Sequence, residues 1–314
     1  MQKILTALTI FTLFCSCAKA DNSMYIPAYG EGRQSASEDG KGSDVDDGIT
    51  QDEVTDNQMK VMSFNVRVAG ADSGDNAWDV RKYAIPDIIY KENPLVFGVQ
   101  EALTAQLVYL RSQCPNYEDI GVGRDDGRSA GEHMNIFYNT KRVKMENWGY
   151  FWLSETPDEP SYGWGEKYRR LAVWGIFTNL RNGEKFFYMN THGPLDNTAN
   201  ANAMRLIAQK IKEYNPDGYP ALLTADFNIH PDNANFAPIR LIMKNAREEA
   251  PETDNLDTYN GWGTATYTAI IDDIWYSGFK QALSYRTVTD VYRKIKYVSD
   301  HYPIVATLVF DSVL

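Results

Sequence analysis

The sequence predicts an α/β fold, with two β-sheets packed face to face and helices outside, carried by residues 58–314. Three observations predict it. Runs such as Leu95-Val96-Phe97-Gly98-Val99 and Ala221-Leu222-Leu223-Thr224-Ala225 are almost wholly apolar, as in strands buried on both faces. Amphipathic stretches alternate with these runs; Met204, Ile207, Ala208 and Ile211 repeat at the spacing of one buried helical stripe. Finally, 43% hydrophobic and 13% aromatic residues supply a sizeable core.

In chain order, residues 60–66 alternate like a strand. Residues 80–93 read as a helix with Ile85, Ile88 and Ile89 on one side, 94–99 as a central strand and 102–113 as a second helix. Strands are expected at 135–138, 171–178 and 185–191. A clear helix follows at 200–214, then a buried strand at 220–225 and a helix at 236–245. Strands at 270–276 and 302–310 close the series. Tyr150, Phe151, Trp152, Tyr162, Trp164 and Tyr168 cluster between two of these strands. Cys114 reads as a buried small hydrophobe in a helix-like stretch. There is no internal repeat.

The N-terminus reads as an export signal. Lys3 is followed by an apolar run, 4–14, too short to span a bilayer comfortably. Ser16-Cys17 at its end resembles a bacterial lipoprotein cleavage site, which makes 1–17 a lipoprotein-type signal peptide and Cys17 the lipidated residue. Residues 18–57 are expected to be a disordered acidic tether, because 30–57 hold almost no large apolar side chain. The chain has net charge −11, but residues 1–57 contain ten acidic and four basic residues. The domain at 58–314 is therefore only mildly acidic and carries no Lys/Arg run. That argues against a protein that coats polyanions. The expectation is a monomer at the cell envelope, anchored to the membrane through Cys17.

Five segments place polar or titratable residues at the end of an apolar strand: Phe64-Asn65, Gln100-Glu101, Asn190-Thr191-His192, Asp226-Phe227-Asn228 and Ser299-Asp300-His301. Asp272 interrupts a sixth strand. Each alone has a plain alternative: Glu101 as a helix-start acid, Asp226 and Asn228 as turn formers, His192 as a structural histidine. All six on strand edges are hard to explain as turn chemistry, and strand ends at one sheet edge can converge on a cleft.

Read in order, Met62-Ser63-Phe64-Asn65-Val66-Arg67, Val99-Gln100-Glu101, Gly123-Arg124-Asp125-Asp126-Gly127 with Gly131-Glu132, Asn190-Thr191-His192, Ala225-Asp226-Phe227-Asn228, Ile271-Asp272-Asp273-Ile274 and Ser299-Asp300-His301-Tyr302-Pro303 resemble the motif set of the endonuclease/exonuclease/phosphatase superfamily, the deoxyribonuclease I-like fold. The resemblance implies a four-layer α/β sandwich, two packed β-sheets flanked by helices. It also implies a divalent-metal-dependent phosphoesterase using Mg²⁺ or Mn²⁺. Glu101 is the implied metal ligand, with Asn65 supporting the site and Asp300 as a second carboxylate. His301 is implied beside the scissile phosphate with Asp272 as its partner. Asp226 would orient or deprotonate the attacking water, and Asn228 would bind a phosphoryl oxygen. Which of His301 and Asp226 takes the proton stays open.

A second pair, Glu132 with His192, is expected by the same resemblance, to protonate the leaving group or bind phosphate. Arg170 reads equally as a phosphate contact or as a solvated arginine beside Arg169, and Arg124 reads as structural. Many bacterial members carry Thr-His-x-Asp-His in the middle motif. Here Thr191-His192-Gly193-Pro194-Leu195-Asp196-Asn197 displaces the Asp by two residues, which puts the substrate range in question. The substrate is a phosphodiester or phosphomonoester: a small molecule, a lipid headgroup or a nucleic acid. The alternatives are a secreted nuclease of the deoxyribonuclease type and a surface binding protein on an inactive scaffold.

Overall fold

The computed structural model describes residues 50–266 and 269–311. The predicted signal peptide, its lipidation site at Cys17 and residues 18–49 of the expected tether lie outside the described residues. The last tether residues do not behave as one. Asp52 pairs with Lys60 at 3.0 Å and Lys91 at 2.6 Å, and the Asn57 amide donates to Phe310 O at 3.1 Å. The fold thus begins before residue 58, held by ion pairs and backbone contacts that a hydrophobicity reading cannot see.

Among the described residues, twelve strands form two six-stranded sheets. The strands are β1 Gln58–Asn65, β2 Val96–Gln100, β3 Tyr117–Ile120, β4 Ile136–Asn139, β5 Val143–Trp152, β6 Leu171–Asn179, β7 Lys185–His192, β8 Ala221–Asp226, β9 Lys244–Asn245, β10 Asp272–Ser277, β11 Phe279–Thr287 and β12 Ile304–Phe310. The helices are α1 Trp78–Arg81, α2 Ile85–Glu92, α3 Thr104–Gln113, α4 Asn197–Tyr214, α5 Ala237–Arg240 and α6 Ala246–Glu249. One sheet runs β11-β12-β1-β2-β4-β3 and the other β5-β6-β7-β8-β10-β9.

Period-two alternation divides the core. Val61 and Val96 point between the sheets with Tyr188, Leu222, Ile274 and Ile304, while Met62, Phe64 and Phe97 point outward under Ile85, Ile88, Ile89 and Leu107. On the other side, Met204, Ile207, Ala208 and Ile211 of α4 pack on Phe187, Met189, Leu223 and Trp275. These layers are the predicted four-layer sandwich.

Several predicted elements differ in extent. The expected helix at 80–93 is two short helices, with Pro86 in the first turn of the second. The helix expected at 236–245 lasts only from Ala237 to Arg240 before the chain turns into β9. Phe236, Ile239 and Met243 still reach the outer core, so helix-like spacing is met by one turn plus packing. Tyr150, Phe151 and Trp152, expected between two strands, form the end of β5. That edge strand is half-exposed and bulged between Met145 and Asn147, which erases its alternation.

Candidate active site

Connectivity brings the motifs together. β1 and β2 are adjacent and parallel, and so are β7 and β8, joined by crossovers through α1–α2 and α4 respectively. Parallel neighbours end at the same edge. Asn65, Gln100, His192 and Asp226 therefore finish their strands at one rim. β12 runs antiparallel to β1 and β10 antiparallel to β8, so the residues that start them, after His301 and from Asp272, begin at that same rim. In register, His192 faces Asp226 and Asp226 faces Asp272.

The rim surrounds a cavity of about 410 Å³ lined by Arg67, Glu101, Arg124, Glu132, Arg170, His192, Asp226, Asn228, Asp300 and His301, with Tyr168, Leu195 and Tyr259 at its walls. Asp226 is its centre. Its Oδ2 accepts from Asn65 Nδ2 at 2.9 Å and lies 3.4 Å from His192 Nε2 and 3.6 Å from His301 Nε2; its Oδ1 accepts from Asn228 N at 3.0 Å. The Asn65 amide also donates to Glu101 Oε1 at 3.0 Å, so Asn65 bridges the two carboxylates. Glu101 takes a left-handed backbone, φ 62°, uncommon for a side chain with a Cβ. Its Oε2 accepts from Val68 N at 3.0 Å, and with Asn65 this holds the carboxylate into the cavity.

His301 Nδ1 lies 2.8 Å from Asp272 Oδ2, and both side chains are buried. Burial opposes a charge on the imidazole, but Asp272 and then Asp226 overcome it and lift the His301 pKa to about 10. Asp226 is raised to about 7, mainly by burial and in part by Asp272, against the pull of His301. His192 behaves oppositely. Burial, with Arg170, Arg124 and His301 nearby, pushes its pKa well down. Its 3.4 Å approach to Asp226 is therefore the contact of a neutral imidazole, not an ion pair.

The expected Glu132–His192 pair does not form. Glu132 accepts from Arg124 Nη1 at 2.5 Å, and the buried Nδ1 of His192 has no hydrogen-bond partner. Arg124, expected to be purely structural, reaches the cavity and takes that carboxylate. Arg170 is buried in the cavity wall, which removes the solvated alternative. Asp300 reaches the cavity, but as the partner of Arg67 at 3.3 Å; the same guanidinium lies 4.0 Å from Glu101. The displaced Asp196 caps α4, accepting from Thr198 N at 2.8 Å and Ala199 N at 2.9 Å. This departure from the middle motif is helix-capping chemistry.

Several positioning contacts had no signal in the sequence, even where the motifs include one of the residues. Gln100 Nε2 donates to Asn190 Oδ1 at 2.7 Å and Ser63 Oγ at 3.1 Å, while Thr224 donates to the same Asn190 oxygen at 2.9 Å. This buried network joins the two sheets directly beneath the site. It needs Gly98, where a Cβ would stand 2.3 Å from Asn190 Oδ1. Arg81 is buried and donates to Val66 O, Arg67 O, Val298 O and Asn76 O, tying the Arg67 segment to the loop before His301. Glu166 accepts from Leu195 N at 2.7 Å and Asp196 N at 3.0 Å, clasping the loop after His192. Apart from the contacts Arg81 makes with Val66, Arg67 and Asn76, these partners lie 29 to 217 residues apart along the chain, so spacing does not reveal them.

A model of the Endonuclease/Exonuclease/phosphatase family matches residues 62–301. The chain belongs to this family. An endonuclease/exonuclease/phosphatase family protein from Bacteroides thetaiotaomicron is 33% identical, with TM-score 0.76, over 82% of this chain and 99% of that one. A mannosyl-6-phosphatase from Bacteroides thetaiotaomicron is 31% identical, with TM-score 0.75, over 80% of this chain and 100% of that one. An uncharacterised protein of Acanthamoeba polyphaga mimivirus is 26% identical over 180 residues, 54% of this chain and 67% of that protein. Members of the family are generally hydrolases of phosphoesters, and the motif residues quoted from the sequence are those that converge here.

Proposed function

We propose that this protein is a divalent-metal-dependent phosphoesterase that hydrolyses a phosphate ester outside the cytoplasm. One observation carries the reading: Asp226 sits between Asn65–Glu101 on one side and the buried His301–Asp272 pair on the other, in a single cavity. The donor set fits a hard cation. Glu101, His192 and Asp226 each offer an atom within 4.8 Å of the others, and most of the converging donors are carboxylate oxygens. Glu101 would hold Mg²⁺ or Mn²⁺, with Asn65 aligning it and Asp300 flanking it; the bound cation would neutralise phosphoryl charge.

The protein's own groups divide the remaining work. His301, kept protonated by Asp272, presents positive charge to the phosphoryl oxygens. Asp226, buried and raised toward neutrality, is placed to orient an attacking water and take its proton, which favours it over His301 as the base. The Asn228 amide donates to Gly193 O at 3.0 Å and stands in the cavity wall, where it can meet a phosphoryl oxygen. His192, neutral and with no partner at Nδ1, can donate a hydrogen bond but carries no charge.

The assay is hydrolysis of p-nitrophenyl phosphate and bis-p-nitrophenyl phosphate with Mg²⁺, Mn²⁺ and EDTA. Metal-dependent turnover supports the reading; none on either ester, nor on DNA or RNA, would leave a binding protein on an inactive scaffold. The similarity to a mannosyl-6-phosphatase supports a small phosphorylated compound over a polymer, as does the mildly acidic domain. Action at the cell envelope rests on the apolar run 4–14 and Cys17. Metabolic fatty-acid labelling that persists in Cys17→Ser would contradict the anchor.

A further inference from the structure

Arg124 and Arg170 share one wall of the cavity with Tyr168. Their guanidinium carbons lie 5.3 Å and 5.7 Å from the centre of its ring. Two cations held this close repel each other, and Arg124 adds to burial in pushing the Arg170 pKa down. Glu132 answers part of that charge through Arg124 Nη1. Three buried donors remain without an acceptor: Nε of Arg124, and Nε and Nη1 of Arg170. Buried donors without acceptors are costly, and guanidiniums on a cavity wall are relieved by an anion whose oxygens take those protons.

We propose that Arg124 and Arg170 form a two-arginine clamp that selects a terminal, dianionic phosphate, so that phosphomonoesters are the preferred substrate class over diesters. This rests on the phosphoesterase reading. At neutral pH a monoester carries one more negative charge and one more free oxygen than a diester. The extra oxygen would have a place in this wall, while the others would meet His301, Asn228 and the cation that Glu101 would hold on the opposite side of the cavity. The Glu132 carboxylate holds the Arg124 fork in position, which gives Glu132 a part as a positioning residue in place of its expected partnership with His192. The planar forks match phosphate geometry as an ammonium would not.

The test compares wild type with Arg124→Met/Glu132→Gln, which removes both charges of the pair together and strands neither. Inorganic phosphate binding is measured by calorimetry with Mg²⁺, and kcat/KM on p-nitrophenyl phosphate and on bis-p-nitrophenyl phosphate. The expectation is phosphate binding weakened about a hundredfold, the scale of one charge-assisted contact, and a monoester-to-diester ratio lowered at least tenfold. The proposal stands only if both fall; unchanged phosphate binding, or equal losses on the two esters, overturns it. Arg124→Lys, which keeps the charge and loses the fork, provides the same readouts should the double variant fail to fold. A wild type that hydrolyses neither ester would sink the phosphoesterase reading and the substrate preference with it, and phosphate binding lost in the variant would then mark only an anion site.

Discussion

Replacing Asp272 with Asn removes one oxygen charge and almost nothing else. In the native site that oxygen lies 2.8 Å from His301 Nδ1, and both groups are buried. The His301 pKa rises from the ordinary 6.5 to about 10 even though burial pulls the other way. At about 1.4 kcal/mol per pKa unit, the surroundings favour the imidazolium by roughly 5 kcal/mol, with Asp272 the leading favourable contribution. Without it, burial outweighs what Asp226 and Asp300 still contribute, and His301 is expected to be a neutral imidazole near pH 7, held by an amide that no longer favours its charged form. The loss of a charged, oriented partner at the phosphoryl oxygens should lower kcat by about 10² to 10⁴. Initial rates of p-nitrophenyl phosphate hydrolysis with Mg²⁺ measure this, and the His301 ring-nitrogen shifts in NMR report its protonation at pH 8. A folded Asp272→Asn protein that keeps more than a tenth of the native kcat, or whose His301 stays protonated at pH 8, would refute the reasoning.

Two further outcomes follow from the same geometry. Glu101→Gln should abolish the rise in melting temperature that Mg²⁺ produces in the native protein, since a ligand at a hundred times its Kd stabilises by about 2.7 kcal/mol; an undiminished rise would move the metal elsewhere. Asp273 is buried, accepts from Asn245 at 2.9 Å and has its other oxygen unpartnered, and burial raises its pKa from 3.8 to about 7. The folded state thus keeps a proton that the unfolded chain gives up. This contribution is whole below about pH 4 and is lost as pH rises to about 7, by up to about 1.4 kcal/mol per pH unit. In urea titrations at pH 5 and 7.5, Asp273→Asn should lose this part of the decline; an equal decline in variant and native protein would show that Asp273 is not its source.

How legible the site was depends on where each residue's partner lies. Glu101, His192, Asp226, Asp272 and His301 announce themselves because each is polar at the edge of an apolar strand, a local contrast that needs no partner to be seen. The partnership expected for Glu132 was misread because its choice between His192 and Arg124 is made across space. Arg124 lies eight residues before Glu132, close enough for the hairpin to bring the two together, and the nearer cation takes the carboxylate. Asp196 shows the reverse. Its displacement looked like a change of active-site chemistry until its oxygen was found capping α4. Strands were legible in the sheet centres, where both faces are apolar, and hidden at the edges, where β5 mixes faces and bulges.

The amino-acid order by itself determined the layered α/β architecture, the core stripes and the identity of the converging carboxylates and imidazoles, because burial periodicity and polar strand ends are local properties. Only the tertiary structure decided the electrical state of the site. It charged His301 and discharged His192, gave Glu132 to Arg124 and Asp300 to Arg67, and set Arg124 beside Arg170 around Tyr168. Those outcomes depend on distances of a few ångströms between chain segments far apart in sequence and on how completely water is excluded around each, and neither is written into any one stretch of the chain.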